Sequence, residues 1–396
     1  MSRNVPKLRF KGFEDEWIKY KADDLFINIS DKKHNGELNV LSVTQDKGVL
    51  LREELEIDIK FDIESVKNYK RVKAGDFIIS LRSFQGGFEI SNQEGLISPA
   101  YTVFNFKDSE KFNSKYFSYI FKSSRFIKKL AGLIYGVRDG KAISFTDFKT
   151  MTFFCPSLQE QEKISNFLSK VYSIIEKQEK KVEYWNLYKK GMMQKIFSQK
   201  IRFKDKNGRD YPEWEEEKLG DYIIQYDEIT TENNQYEALT SSRKGLFLQK
   251  DYFNKQIASE DNTGYNIVPR GYFTYRHMSD DSIFHFNINN LIDFGIVSTL
   301  YPVFTTNENM NSIFLRYYLN EGPEFKKYCL LQKQGGSRTY MYLKKLKEFK
   351  GNIPSLDEQI KIANFLSNID NIIEKESKKL EELKQWKKGL LQQMFV

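Results

Sequence analysis

The sequence predicts an α+β fold with two tandem-duplicated domains, separated by two long helices that form an antiparallel coiled coil with pseudo-two-fold symmetry. Three observations predict this fold: an internal repeat, a heptad pattern in the best-matched part of the repeat, and strand-like segments in the remainder. The chain of 396 residues is long enough for more than one domain, and 40% of its residues are apolar, which is sufficient for compact cores.

The internal repeat runs through most of the chain. Its strongest part matches PSLQEQEKISNFLS, which begins at Pro156, to PSLDEQIKIANFLS, which begins at Pro354. The match continues without a gap to Phe197 and Phe395, and more than half of the aligned positions are identical. Weaker matches precede it in the same order, for example LRFKGFEDEW with IRFKDKNGRDYPEW and GLISPAYTVF with GIVSTLYPVF. A series that stays in register along the chain indicates a tandem duplication.

The duplication predicts four segments. Residues 1–155 and 199–353 form two variable domains, and residues 156–198 and 354–396 form the two well-matched helices. We expect each variable domain to be one compact α+β unit, because segments such as FIISLRSF, SPAYTVFNF and YFTYR are rich in β-branched and aromatic residues. The segment KYFSYIFKSSRFIKKLAG predicts one helix that ends at Gly132, and PEFKKYCLLQK predicts its counterpart before Gly335.

Both predicted helices begin with the same pattern. Ser157 is followed three positions later by Glu160, and Ser355 by Glu358, which is the Ser-x-x-Glu spacing of a capping box. Apolar residues then recur at heptad spacing, which is typical of a coiled coil. The apolar seam residues are Ile164, Leu168, Val171, Ile175, Val182, Trp185, Met192 and Ile196 in the first helix, and Ile362, Leu366, Ile369, Ile373, Leu380, Leu383, Leu390 and Met394 in the second.

Two packing arrangements are compatible with this seam. Each helix could pack on its own domain as an ordinary amphipathic helix, or the two helices could pack on each other. The unusual length and the matching polar breaks, Gln178 with Glu376 and Lys189 with Lys387, favour pairing of the two helices. Antiparallel pairing is favoured because it places equivalent domains at opposite ends.

The composition limits the function. A net charge of +8 and an isoelectric point near 9.0 favour a polyanionic partner, of which nucleic acid is the commonest. The only cysteines, Cys155 and Cys329, form no metal-binding pair, and the three histidines show no metal-ligand spacing. No apolar segment is long enough for a membrane span. We therefore expect a cytoplasmic protein with no metal site and no membrane partner.

The motifs of common enzymes are absent or incomplete. Gly140-Lys141-Ala142 lacks the hydroxyl residue and the preceding glycine of a phosphate-binding loop. Ser98-Pro99-Ala100-Tyr101 lacks the amide or carboxylate that an amino-methyltransferase motif needs, and a buried strand accounts for it better. We therefore predict that the chain itself is not an enzyme. An enzyme whose site has diverged too far to be recognised stays an alternative.

Polar and basic residues lie in loops that follow the aligned strands, whereas the strands themselves match between the halves. One scaffold with two different sets of loops would suit two readers of different nucleotide sequences. Arginine can bind guanine bidentately, glutamine can bind adenine, and lysine or serine can bind phosphate. We assign DNA contact to Lys47, Arg82, Ser83, Gln85, Arg138 and Lys141 in the first half, and to Arg243, Lys244, Arg276, His277, Ser337, Arg338 and Tyr340 in the second.

With these motifs, the chain resembles the specificity subunits of bacterial type I restriction–modification systems. The residues that carry the resemblance are PSLQEQEKISNFL and PSLDEQIKIANFL at the start of long helices, the PKLRFKGFEDEW segment, and the paired Lys-Gly loops. The resemblance covers essentially the whole chain.

The resemblance implies a non-catalytic subunit that determines DNA sequence specificity. Each variable domain is then a target-recognition domain that reads one half of a bipartite double-stranded DNA site. The helices set the gap between the halves and dock two methyltransferase subunits, which restriction subunits join. S-adenosylmethionine, ATP and Mg²⁺ are expected on those partner subunits and none of them on this chain. The alternative is a duplicated coiled-coil scaffold or adaptor without DNA specificity.

Overall fold

The chain forms two structural units in a computed structural model that describes residues 4–44, 48–55, 63–80, 87–133, 143–252, 261–333 and 338–396. The first unit contains residues 1–180 and 377–396, and the second contains residues 181–376. Each unit therefore combines one variable region with a segment of each long helix. The mixed α+β content and the two long helices confirm the predicted fold class.

The first unit is built around an antiparallel sheet. Its strands are β1 (Ile18–Lys21), β2 (Phe26–Ile29), β3 (Leu41–Thr44), β4 (Gly48–Leu51), β5 (Lys70–Val72), β6 (Phe77–Ile79), β7 (Phe88–Ile90), β8 (Gly95–Ile97), β9 (Thr102–Phe106) and β10 (Thr152–Cys155). Its helices are α1 (Ala22–Leu25), α2 (Ser114–Phe121), α3 (Ser124–Leu133), α4 (Phe145–Lys149) and the start of α5 (Leu158–Phe197). The main sheet has the order β2-β9-β6-β7, and β1 pairs with β10 immediately before α5.

The second unit repeats this arrangement. Its strands are β11 (Glu215–Lys218), β12 (Ile223–Tyr226), β13 (Glu237–Ser242), β14 (Gly245–Leu248), β15 (Asn266–Pro269), β16 (Phe273–Thr274), β17 (Met278–Ser279), β18 (Asn287–Ile288), β19 (Phe294–Val297), β20 (Val303–Thr306), β21 (Thr339–Tyr340) and β22 (Lys350–Ile353). Its helices are α6 (Gln249–Tyr252), α7 (Ser312–Glu321), α8 (Pro323–Leu331), α9 (Leu343–Glu348) and the start of α10 (Leu356–Gln393). The sheet β12-β20-β16-β18 corresponds to the main sheet of the first unit, and β11 pairs with β22 as β1 pairs with β10.

The prediction of one helix that ends at Gly132 is wrong in one respect, because the structure divides this segment into two helices. The structure has α2 and α3 instead, with the break at Lys122 and Ser123. The Ser123 hydroxyl donates to the Ile120 carbonyl at 2.7 Å and accepts from the Phe126 amide at 3.3 Å. A serine that bonds its own backbone competes with the helical hydrogen bonds and starts a new helix.

The predicted capping boxes are wrong in their glutamate half, and only the first keeps its serine half. The Ser157 hydroxyl accepts from the Glu160 amide at 3.4 Å, whereas the buried Ser355 hydroxyl has no hydrogen-bond partner in the described ranges. The Glu160 carboxylate does not turn back to its helix start but accepts two hydrogen bonds from the Arg9 guanidinium, both at 2.8 Å. Glu358 accepts from Arg202 Nη2 at 2.9 Å and from Trp214 Nε1 at 3.0 Å. Both carboxylates are buried, so an arginine partner compensates their desolvation better than one backbone amide would.

The adjacent glutamines attach each helix start to its variable region. Gln161 accepts from the Asn113 amide at 2.9 Å and donates to the Pro156 carbonyl at 3.0 Å. Gln359 accepts from the Asn311 amide at 2.8 Å and donates to the Pro354 carbonyl at 2.9 Å. The repeated Glu-Gln pair is thus a junction between helix and domain, which explains why these two residues are identical in both halves.

Both packing arrangements that the seam allowed occur together. Within the first unit, Leu168 of α5 and Leu390 of α10 belong to one buried core with Trp17. Within the second unit, Leu366 of α10 and Ile196 of α5 share a core with Trp214 in the same way. Each helix therefore packs on its own variable region and also on the other helix.

Contacts within each unit show that α5 and α10 run in opposite directions. In the first unit, Phe167 lies against Trp386 with ring centroids 6.4 Å apart, and Glu179 pairs with Lys384 at 2.7 Å. In the second unit, Lys181 pairs with Glu376 at 2.7 Å and Lys189 with Asp370 at 2.6 Å. The predicted antiparallel pairing is confirmed.

Candidate nucleic-acid interface

A groove of about 370 Å³, lined by both charged and aromatic side chains, lies on the second unit. Four segments border it: the end of β13 with the turn that follows it, Tyr252 of α6, residues 276–285 around β17, and Tyr301. Its charged and aromatic lining consists of Arg243, Tyr252, Arg276, Asp280, Phe284, His285 and Tyr301. Arginine beside aromatic rings in a concave surface suits a nucleic-acid backbone and its bases.

A short strand pair brings further predicted residues to the same place. Met278 of β17 pairs with Tyr340 of β21, and Ser279 pairs with Thr339. Ser282 lies next to this pair, and its buried hydroxyl lies 2.7 Å from the Thr339 hydroxyl. The segment of Arg276 and His277 is therefore fixed next to the segment of Arg338 and Tyr340. The predicted contact residues of these two segments thus lie near each other.

Two of the arginines are paired with adjacent aspartates. Arg243 Nη2 donates to Asp281 Oδ1 at 2.5 Å, and Arg338 Nε donates to Asp280 Oδ1 at 2.9 Å. Hydrogen bonds from Arg243 and then from Ser279 hold the pKa of the Asp281 carboxyl well below its usual range. Both pairs are solvent-accessible, so they orient the arginines more than they stabilise the fold.

Arg276 and Lys244 are different, because both are exposed and neither has an ion-pair partner within the described ranges. Arg276 lines the groove, and Lys244 lies in the β13–β14 turn beside Arg243. Cations without an acidic partner can neutralise phosphate without first breaking a pair. Among the predicted contact residues that the structure describes, these two arginine and lysine side chains are therefore the ones not held by a carboxylate.

His277 is buried and supports aromatic neighbours. Its Nδ1 donates to the Leu300 carbonyl at 2.5 Å, and its ring stacks on Tyr342 with centroids 4.9 Å apart. Tyr342 in turn stacks on Tyr340 at 5.8 Å, and both tyrosines are exposed. The sequence assignment missed Tyr342, although the alternating aromatics of Thr-Tyr-Met-Tyr could have indicated it. Exposed stacked tyrosines offer a flat surface for a sugar or a base.

The remaining predicted contact residues lie outside the described part of the chain. These are Lys47, Arg82, Ser83, Gln85, Arg138 and Lys141 of the first half and Ser337 of the second. Their assignment to DNA contact stays a prediction.

His285 is a groove residue that the sequence assignment also missed, because an isolated histidine in a variable segment has no recognisable spacing. Burial lowers its pKa, and the nearby Arg243 lowers it further. Lys326 acts in the same direction, while Glu321 and Asp281 oppose it.

We expect this histidine to make the second unit less stable in mild acid. Since the folded pKa lies below the unfolded value, the unfolded chain binds more protons, and stability falls as pH drops below about 6.5. The measurement is the urea midpoint at pH 7.5 and 5.5 for the native chain and for His285→Gln. The variant should show a smaller acid-induced decrease, and an equal decrease would contradict the assignment.

Metal-binding clusters and membrane-spanning helices are both absent from the described ranges. These ranges contain no group of three or more histidine, cysteine, aspartate or glutamate side chains that could hold a metal ion. Within the same ranges, every helix is too short or too polar to cross a membrane.

Comparison with known proteins identifies the family. The type I restriction modification DNA specificity domain matches twice, at residues 14–184 and 194–385. Each match covers one variable region and most of the helix that follows it. The duplication and the family predicted from the repeated motifs are thereby confirmed.

Individual relatives agree with this result. The chain is 27% identical over 270 residues to the type I restriction enzyme MjaVIII specificity subunit of Methanocaldococcus jannaschii, and the match covers 62% of this chain and 61% of that protein. A putative MjaX specificity subunit from the same organism is 26% identical over 270 residues, with 63% and 60% covered. The aligned part thus spans less than two thirds of the curated relatives.

Solved structures share the fold across the whole chain. The S subunit of a type I restriction–modification system from M. genitalium superposes with a TM-score of 0.57 at 16% identity, covering 99% of both chains. A chain from a structure on complex assembly and conformational transition of the type I R-M system gives 0.53 at 14% identity, covering 96% of this chain and 97% of that one. Because the specificity domain matches both halves, the chain belongs to the type I restriction modification DNA specificity family.

Proposed function

We propose that this chain is the sequence-specific DNA-binding subunit of a type I restriction–modification complex. Each variable region would read one half of a bipartite DNA site, and α5 and α10 would set the gap between the halves. The observation that carries the proposal is the double match to the specificity domain, once for each variable region with its helix. Two readers on a fixed spacer imply two half-sites at a fixed separation.

The groove of the second unit, together with the residues beside it, supports this proposal chemically. Arg276 and Lys244 supply positive charge without an acidic partner among the described residues, and Arg243 and Arg338 are oriented by aspartates. Unpaired cations suit phosphate, and oriented guanidinium groups suit base edges in the major groove. A reader needs both kinds of contact, because phosphate contacts position the protein and base contacts specify the sequence.

The chain would act without catalysing a reaction itself. We infer that two methyltransferase subunits dock on the helices and bind S-adenosylmethionine, and that restriction subunits supply the chemistry that needs ATP and Mg²⁺. A duplicated chain presents two equivalent surfaces, which suits two copies of one partner. The complex would operate in the cytoplasm, where the host DNA lies.

The decisive experiment is to co-express the chain with its candidate methyltransferase partner and to map N6-methyladenine across the host genome. We expect one split motif that is absent without this chain. A second variant, with Arg276→Ala and Lys244→Ala, tests the assignment of these residues to phosphate. It should weaken methylation at all sites and reduce the salt dependence of DNA binding. No new methylation from an intact complex would overturn the proposal and favour a scaffold without DNA specificity.

A further inference from the structure

We propose that Asp280 and Asp281 are positioning residues for guanine recognition in the half-site read by the second unit. Asp280 would orient Arg338, and Asp281 would orient Arg243, so that each guanidinium group presents N–H donors to a guanine edge. The inference rests on the proposed function and deepens it, because it names the base class and the residues that control it.

The Arg338–Asp280 pair has the geometry that such a role requires. The carboxylate accepts from Nε, which leaves Nη1 and Nη2 without a hydrogen-bond partner in the part of the chain that the structure describes. These two nitrogens form the end of the planar fork that matches guanine O6 and N7. The side chain is half exposed, so this end is accessible to DNA.

The Arg243–Asp281 pair is anchored more firmly. Asp281 Oδ1 also accepts from the Ser279 hydroxyl at 2.8 Å and from the Ile283 amide at 3.2 Å. Contacts within its own segment therefore fix the Asp281 carboxylate independently of Arg243, which comes from the β13–β14 turn. A fixed acceptor restricts the rotamers of a long side chain, and this lowers the entropy that DNA binding must remove.

The negative charge of Asp280 and Asp281 affects how tightly the second unit can bind DNA of any sequence. Asp280 lines the groove and Asp281 follows it in the chain, so both carboxylates would repel the phosphate backbone of bound DNA and lower affinity for every sequence. They also occupy part of two guanidinium groups that would otherwise bind phosphate. The aspartates would thus reduce non-specific binding and favour the one orientation of each guanidinium group that matches a base edge. Specificity would then come from weakening the competing phosphate contacts.

The experiment compares base preferences of the full chain in complex with its methyltransferase partner. Native protein, Asp280→Asn and Asp281→Asn select from a randomised duplex library at constant salt, and the enriched sequences are counted. We expect the preference for guanine at one or two positions of a single half-site to fall about tenfold, within the range that a bidentate arginine contact contributes. Affinity for unrelated DNA should rise, and the other half-site should stay unchanged as an internal reference.

The chain contains a control pair of similar distance and exposure, in which the arginine also donates to the Asn290 and Leu291 carbonyls. Arg270 pairs with Asp293 at 2.9 Å, with side chains 49% and 84% exposed, and the values for Arg338 and Asp280 are 2.9 Å, 49% and 70%. Asp293→Asn therefore removes the same charge from a similar pair that does not line the groove. It should leave the guanine preference intact.

Two further variants separate positioning from folding. Asp280→Glu keeps the carboxylate and should retain the preference, whereas Arg338→Lys keeps the charge without the planar fork and should lose guanine at the same position as Asp280→Asn. A native motif that neither asparagine variant nor Arg338→Lys alters would overturn the inference and leave the proposed function standing. If native protein enriches no motif, both the proposed function and this inference are overturned.

Discussion

We expect that exchanging residues 1–155 for the same region of another family member will replace one half of the DNA site and leave the other half unchanged. The physical reason is that the first variable region has its own aromatic core and its own sheet. The groove to which we assign recognition by the second variable region lies within residues 240–342, which the exchange does not touch. The measurement is the N6-methyladenine map of cells that contain the chimera and the methyltransferase partner.

The junction determines which chimeras assemble. Arg9 binds Glu160, and the Asn113 amide donates to Gln161, so the exchanged region carries partners of both helix residues. If the region taken from the other family member has an arginine and a helix-capping asparagine at these positions, the chimera should be stable. As a control, the same chimera with that arginine changed to alanine should be poorly folded, because a buried carboxylate would lose its partner.

The reciprocal exchange of residues 199–353 should alter only the other half-site. A map in which either exchange changes both halves would contradict the assignment of one half-site to each variable region.

The second large effect is expected for Glu358→Gln, which should lower the free energy of unfolding by about 3 kcal/mol. Glu358 is fully buried and accepts hydrogen bonds from both Arg202 and Trp214. The substitution leaves Arg202 with no full charge inside the core to pair with, although the side-chain volume is kept. Chemical denaturation of the full chain gives the measurement.

The same arginine provides the control. Arg202 also pairs with Glu213 at 3.1 Å, but the Glu213 side chain is 87% exposed. Glu213→Gln should therefore change stability by less than about 0.5 kcal/mol, as solvent-exposed ion pairs contribute little. Equal effects of the two substitutions would show that burial does not determine the strength of this cluster.

Glu160→Gln in the first unit should be milder than Glu358→Gln by about 1 kcal/mol, the net contribution of one hydrogen bond. Glu160 accepts from Arg9, whereas Trp17 Nε1 has no hydrogen-bond partner in the described ranges. In the second unit, the equivalent Trp214 donates to Glu358. The two buried carboxylates thus differ in the hydrogen bond from the tryptophan, which only Glu358 accepts.

Much of the fold follows from local patterns in the sequence. Self-comparison identifies the duplication, and heptad spacing predicts helices over 156–198 and 354–396, where the structure has Leu158–Phe197 and Leu356–Gln393. The repeated motifs PSLQEQEKISNFL and PSLDEQIKIANFL, with the PKLRFKGFEDEW segment and the paired Lys-Gly loops, indicate the family. These features are readable because helix periodicity and capping depend on residues that are neighbours along the chain.

The candidate site was only partly readable. Sequence reasoning selected Arg243, Arg276 and Arg338 from polar loops, but it did not identify the two aspartates that orient two of them. It also assigned direct DNA contact to His277, which is largely buried and supports Tyr342. Loop residues carry no periodicity, so their partners depend on how β17 and β21 meet.

The duplication, the two long helices and the family all follow from the amino-acid sequence alone. The pairing of Glu160 with Arg9 and of Glu358 with Arg202 does not, since these partners are 151 and 156 positions apart and meet only in the folded chain. A Ser-x-x-Glu pattern predicts a local cap, but burial makes a distant guanidinium the better partner for a carboxylate. Contacts between distant residues follow from packing, which short-range patterns do not encode.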